Sequence, residues 1–245
     1  MQVLPVAASS LVAPLLDADP GDLTELARTR VSVWYATGNA RTPWLCVCTP
    51  EAVRVPYAVL ADRLPGVGLR WCAQGLCDAA RLWRVTRWWR TPRPLGLRAP
   101  HVQAKPPMFQ LPGVDADAVT ALDPRRLVGA GPGLTPAGDD VLAAVLVTMR
   151  ATADPRLADR LSRTRPMLGS RATTAVSTAL LTAALDGYCC PELDRYLQVV
   201  CSGGEAASAT RELTAVGHTS GTALRAGVWA VLASRHPVAS VRRAA

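Results

Sequence analysis

The sequence predicts an α+β fold, with a strand-rich N-terminal half and a mainly helical C-terminal half. Three observations carry that division. Short apolar stretches at 30–37, 43–49 and 68–73 are separated by Gly, Pro and Asn, the pattern of strands and turns. Pro92, Pro94, Pro100, Pro106, Pro107 and Pro112 then crowd into 91–113. Without amide hydrogens and with fixed φ they exclude a regular helix, so this segment is expected to connect the halves in extended form. Beyond it, apolar residues recur at helical spacing. The expected organisation is a strand-rich region 1–110 followed by a helical region 111–245.

Each helix has its own signature. Val141, Leu142, Val145, Leu146 and Met149 form one stripe and Val176, Leu180, Leu181 and Ala184 another. Leu193, Leu197, Val200 and Cys201 mark a further helix, stopped by Ser202-Gly203-Gly204. Leu224, Val228, Val231 and Leu232 mark the last. With 245 residues and 49% hydrophobic content the chain can bury a sizeable core. The apolar stretch 3–16 has no basic residue before it and is broken by Pro5 and Pro14, unlike a signal peptide. The longest apolar run, 141–147, falls far short of the roughly 20 residues that span a bilayer. A cytoplasmic protein with no membrane association is expected. Its seven cysteines, an odd number, read as reduced core thiols; Cys46 and Cys48 share one face of a strand-like stretch, and neither they nor Cys189-Cys190 have zinc-knuckle spacing.

The chemistry-bearing motif is Gly129-Ala130-Gly131-Pro132-Gly133-Leu134-Thr135-Pro136-Ala137-Gly138-Asp139-Asp140. Glycines permit positive φ and close backbone approach to a ligand, and Thr135-Pro136 reads as an N-cap with proline at the first helical position. Such a helix start offers unpaired N–H groups and partial positive charge to an anion. Asp139 and Asp140 would repel a bare phosphate, so two arrangements fit. Either the anion arrives with a cation such as Mg²⁺ on Asp139 and Asp140, or the carboxylates turn away to hold the loop and complement the helix dipole.

A second turn of the same style, Gly217-His218-Thr219-Ser220-Gly221, launches the last apolar helix. Between the two lies a hydroxyl-rich segment, 170–177. On a helix Thr173, Thr174 and Ser177 would share a face, either donating to carboxylate or phosphate oxygens or bonding back to the preceding turn. His218 stands alone and makes no metal triad; Ser220 has no nucleophile-elbow pattern around it. A neutral-pH titrating histidine in a glycine turn is a candidate for proton exchange at nitrogen.

Taken together, Gly-Pro-Gly-Leu-Thr-Pro-x-Gly-Asp-Asp, Gly-His-Thr-Ser-Gly and the hydroxyl-bearing helix between them resemble the family of the AllH subunit of oxamate carbamoyltransferase, over residues 126–232. The chain departs from that pattern at Ala144, where glycine is expected, and at Ala223, where an acidic residue is. The resemblance implies a cytoplasmic bacterial protein of allantoin and purine catabolism. It would act with other subunits to exchange a carbamoyl group between an oxalurate or oxamate-like ureide and phosphate, through carbamoyl phosphate. Gly131, Gly133, Thr135, Gly138, Thr173, Thr174, Ser177, Thr219, Ser220 and Gly221 are then candidates for holding substrate or phosphate. Asp139 and Asp140 would hold Mg²⁺ or orient the loop, and His218 would act on the nitrogen leaving group. Both turns are expected to face one cleft.

Two further readings compete with this one. The chain fits a non-catalytic binding or assembly subunit completed by another protein. A basic nucleic-acid-binding protein is a more distant third: the net charge is +8, and residues 79–114 hold Arg81, Arg84, Arg87, Arg90, Arg93 and Arg98 among Trp83, Trp88 and Trp89 with no acidic residue after Asp78. The same arginine and tryptophan mixture suits a docking surface for a partner subunit.

Overall fold

A computed structural model describes residues 1–100, 109–169 and 172–235; Ser170, His101 and His236 lie outside the described residues. The α+β division holds. Among the described residues nine strands come first: β1 (Gln2–Ser9), β2 (Gly21–Asp22), β3 (Thr24–Arg28), β4 (Ser32–Ala36), β5 (Trp44–Cys48), β6 (Ala58–Leu60), β7 (Arg70–Cys72), β8 (Gly75–Cys77) and β9 (Arg81–Trp89). One short helix, α1 (Ala13–Leu16), interrupts them. The remaining helices follow: α2 (Ala116–Ala121), α3 (Pro124–Leu127), α4 (Ala137–Ala151), α5 (Leu157–Thr164), α6 (Ala175–Leu185), α7 (Pro191–Ser202), α8 (Ala207–Thr214) and α9 (Ser220–Ser234).

The strands form one sheet in the order β2-β7-β8-β9-β1-β6-β5-β4-β3. Its two edge strands are consecutive stretches of a single segment. Gly21 and Asp22 pair with β7, Thr24 to Arg28 pair with β4, and Leu23 between them donates its N–H to Leu69 O at 3.0 Å. The sheet therefore curls into a nearly closed barrel, leaving little unpaired edge. Strand alternation sorts its side chains. Val33, Tyr35, Leu45, Val47 and Val59 point inside with Trp71 and Trp83, whereas Trp34, Cys46, Cys48 and Ala58 point outward and pack on Val176 and Ala179 of α6. The expected shared face of Cys46 and Cys48 is thus the face that meets the helices.

The basic, tryptophan-bearing stretch is mostly β9, paired in parallel with β1. Trp83 is sealed in the barrel, Trp89 packs between barrel and α6, and Trp88 alone of the three is largely exposed. Its alternation is that of a barrel strand with a solvated arginine face, which accounts for the composition without stacking against bases. Among the described residues, no helix is long and apolar enough to cross a membrane.

The helical half is built around α4. Every residue of this helix is buried except Arg150, as expected for a helix apolar on all sides. Helices α6 and α9 lie against it, and α9 crosses it at a contact too close for side chains. A Cβ on Gly227 would sit 2.3 Å from Val141 O and 2.9 Å from Ala144 Cβ. A small residue at 144 is therefore a packing requirement, met here by alanine on one helix with glycine on the other. At the far end of the pair, the buried carboxylate of Asp154 holds Arg156 at 2.7 Å and Arg235 at 3.3 Å. Helix α7 ends where expected, with Gly203 in the left-handed conformation at φ 73°.

Gly227→Ala is expected to destabilise the fold by more than about 2 kcal/mol, because two helix backbones must separate to admit the methyl group. Gly66→Ala, at a position with no atom within 4 Å of the added methyl group, should change stability by less than about 0.5 kcal/mol. Urea unfolding of both variants checks the pair.

Candidate functional site

The two glycine turns meet. The first runs into the N-terminus of α4 and the second into that of α9, and these helices pack side by side, so their starts share one end of the helical half. Thr135 Oγ1 lies 3.2 Å from Ser220 Oγ, bridging the turns directly. The bridge explains a shift at the helix start. Thr135 spends its hydroxyl on Ser220, Pro136 has extended ψ (136°), and the N-cap falls on Pro136 rather than on Thr135.

The start of α4 is less open to an anion than its sequence implies. Gly138 donates its N–H to Ala130 O at 2.8 Å and Asp139 to Pro136 O at 2.9 Å. Gly138 and Gly221 are packing positions: a Cβ would fall 2.1 Å from Leu127 O at the first and 1.9 Å from Leu213 O at the second. Gly131 and Gly133 have φ of 106° and 102°; a Cβ on Gly131 would also fall 2.8 Å from Pro112 O. Their amides donate to no acceptor among the described residues, and Gly133 has open space around it.

Asp139 and Asp140, adjacent in sequence, have opposite surroundings. Asp139 accepts the Gly129 N–H on Oδ1 at 2.8 Å and the Thr173 hydroxyl on Oδ2. Burial pushes its carboxyl up, and the Thr173, Gly129 and Ser177 donors pull it back. Ser177 Oγ is itself buried beside it without a well-formed hydrogen bond. Asp139 therefore holds the glycine loop. Thr174 completes the clamp, donating its hydroxyl to Leu134 O at 2.6 Å and accepting the Ser177 N–H at 3.0 Å as the N-cap of α6. Helix α6 begins only at Ala175, so the three hydroxyls converge through the helix cap and the bend residue before it rather than as a helical row.

Asp140 has no such company. It is 6% exposed, and its Oδ2 has no hydrogen-bond partner. Loss of water pushes its carboxyl up to about 7; the nearby Ser220 hydroxyl opposes the shift and the Asp139 charge adds to it. This carboxyl lines a cavity of about 460 Å³ between barrel and helices. The barrel supplies Trp34, Cys46 and Val53 to its wall; the helical half supplies Leu180, Cys190 and Leu224, with Thr135, Gly217 and Ser220 from the two turns. His218 is exposed and stands outside this lining, as do Thr219 and the loop glycines Gly131 and Gly133. The barrel wall carries no sequence signal of its own, since Trp34 and Cys46 read as ordinary strand residues.

These donors do not fit a magnesium ion. Mg²⁺ requires near-octahedral oxygen ligands including ionised carboxylates. Both oxygens of Asp139 are taken by protein donors, and Asp140 is a lone, desolvated carboxyl in a mainly apolar wall. The described residues contain no cluster of three His, Cys, Asp or Glu suited to a metal.

The strain on Asp140 has a measurable sign. Its pKa rises on folding from 3.8 to about 7, so the cost is absent below pH 4, grows between the two values and is complete above pH 7. Asp140→Asn is expected to stabilise the fold at pH 8 by up to roughly 4 kcal/mol and to leave it unchanged at pH 4. Urea melts at the two pH values check this, and destabilisation at pH 8 would contradict the assigned burial.

Comparison with known proteins places this geometry. No solved structure matches the chain. Residues 127–232 match the family model described as oxamate carbamoyltransferase subunit AllH, a span that begins at the end of α3 and stops within α9. It contains both turns, the aspartate pair and the α6 cap, and leaves the barrel outside. The chain is thus similar to the AllH family over its helical half, the part that builds the cavity's inner wall.

Proposed function

We propose that this chain is a subunit of a carbamoyltransferase and that its inter-half cavity holds the nitrogen-bearing partner of the transfer. The observation that carries the reading is Asp140: a buried carboxyl with an unpartnered oxygen, poised near neutral pH, in a cavity bounded by both glycine turns. A general base works best when its pKa lies near the operating pH. In the forward direction the nitrogen attacks the carbamoyl carbon, Asp140 takes a proton from that nitrogen, and phosphate departs with the electrons of the broken C–O bond. In reverse Asp140 returns the proton to the leaving nitrogen. The glycine loop contributes Leu134 and Thr135 to the cavity wall, while Gly131 and Gly133 stand outside it. Asp139 and Thr173 keep that loop in place. Asp140 takes over the proton-transfer role that the turn composition suggested for His218.

A second reading is favoured by one observation. The charged side chains lining the cavity are Asp140 and Glu51, with no Lys or Arg among the described lining residues. A phosphate there needs positive charge from elsewhere, which makes this chain the binding half of a site completed by another subunit. Oxamate, named in the matched family's description, is to be compared with simple amines as acceptor.

The test is turnover of carbamoyl phosphate by the isolated chain and by the chain co-purified with products of neighbouring genes, against a panel of oxamate and simple amines. The proposal expects little turnover alone and restoration in the complex. Asp140→Asn should then lower kcat by on the order of 10²–10⁴-fold while the complex still assembles. Full activity of that variant removes Asp140 from the chemistry, and absence of turnover with every acceptor in an intact complex removes the transferase reading.

A further inference from the structure

We infer that the nitrogen compound accepted by the cavity is a primary amine with an apolar body, held as its ammonium ion against the carboxylate of Asp140. Naming it the acceptor of a transfer rests on the carbamoyltransferase reading; its binding rests on the cavity alone. Three features of the wall select this chemistry. The first is charge: Asp140 and Glu51 are both acidic, and no Lys or Arg appears among the described residues that line the space. An anionic ligand meets repulsion there, and a cation meets its complement. The second is the unpartnered Oδ2 of Asp140, a buried acceptor that a ligand N–H⁺ satisfies. The third is the rest of the wall. Val53, Leu180, Leu193 and Leu224 offer apolar contact, and the buried ring of Trp34 adds an aromatic surface that tolerates a nearby cation. A volume of about 460 Å³ suits a small molecule with an alkyl body.

The transfer balances with this substrate. The ammonium passes one proton to the Asp140 carboxylate, giving a free amine and a neutral carboxylic acid. The amine attacks the carbamoyl carbon, the C–O bond to phosphate breaks, and the second nitrogen proton leaves with phosphate as hydrogen phosphate. The product is a substituted urea, which is uncharged at its nitrogen and no longer pairs with the carboxylate.

Binding of the ammonium requires Asp140 ionised, so affinity rises with pH through the neutral range. The groups facing it are Asp139 on α4, Cys46 on β5, Glu51 on the barrel loop, and Tyr188, Cys189 and Cys190 ahead of α7. Burial holds Cys46 well above its usual range, raises Cys189 likewise and pushes Cys190 up to about 12, so these thiols stay uncharged. Asp140, pushed up to about 7, titrates across this range, and the Asp140→Asn variant separates its contribution from that of Asp139, whose carboxyl burial also raises.

Calorimetric titration of the full chain with hexylamine, hexanoate and oxamate at pH 6 and pH 8 tests the inference. Hexylamine should bind about tenfold more tightly at pH 8 than at pH 6, and more tightly than either anion at both. Asp140→Asn, shown to be folded by its melt, should abolish that pH dependence and most of the binding. Leu180→Trp, which fills the cavity, should block hexylamine with Asp140 intact. The inference is overturned if the folded chain does not bind hexylamine at millimolar concentration, if an anion binds as tightly, or if both variants bind as the parent does. Amine binding of this kind without turnover in the complex would sink the transferase reading alone. Asp140-dependent turnover of oxamate with no amine binding would sink this inference alone.

Discussion

Burying the first turn of α4 removes two adjacent carboxylates from water, and much of the surrounding structure answers that constraint. A desolvated carboxylate costs several kcal/mol unless donors replace its hydration. Asp139 receives them from the Gly129 amide and Thr173. Those bonds fix the glycine loop against the cap of α6, and Thr174 ties the same cap to Leu134 O. The loop and the α6 cap are therefore one unit, organised by a single side chain. Asp140 receives no equivalent set, so its burial is stored as a displaced proton equilibrium. The same turn of helix supplies both a structural anchor and a buried carboxyl with a raised pKa.

The helix can be buried because its neighbours come close. Gly227 facing Ala144 lets α9 lie on α4 with little between the backbones. That contact brings the start of α9, and with it Ser220, beside Thr135. Closing the remaining side falls to the barrel, whose outward row of Trp34, Cys46, Cys48 and Ala58 seats on α6. A cavity remains where the two surfaces do not fill the space between them. Its wall is uneven: the helical side brings the Asp140 carboxyl with the Thr135 and Ser220 hydroxyls, and the barrel side is mainly apolar apart from Thr29, Ser32 and Glu51. The family match follows the same division, covering the helical side only.

Much of this was legible in the sequence for identifiable reasons. The stripes of α4, α6, α7 and α9 have the helical period, and glycine with Thr or Ser ahead of two of them marks the turns that meet. Alternation in 30–37 and 43–49 reveals β4 and β5. The strand β9 was hidden because its mixture of arginines with Trp83, Trp88 and Trp89 resembles a binding surface as much as a strand. Barrel closure was hidden because it depends on Gly21 to Arg28 pairing with two distant strands, which no local pattern records. Within the site, Asp139 and Asp140 look equivalent in sequence. Their division of labour comes from Thr173, more than thirty positions away, and from a wall of Trp34 and Cys46 contributed by the other half. His218 drew attention by residue type; its side chain is exposed and outside the cavity lining.

The central claim is that one aspartate is buried at the seam of the two halves with one carboxyl oxygen left unpartnered. Carboxyl-carbon NMR of the chain labelled at aspartate, titrated from pH 3 to pH 9, reads this directly. One resonance with a midpoint near 7, missing from the Asp140→Asn spectrum, is the predicted result. If every aspartate carboxyl titrates below about pH 5, in the usual range for solvated or well-paired carboxyls, Asp140 is not buried as described and the account is wrong.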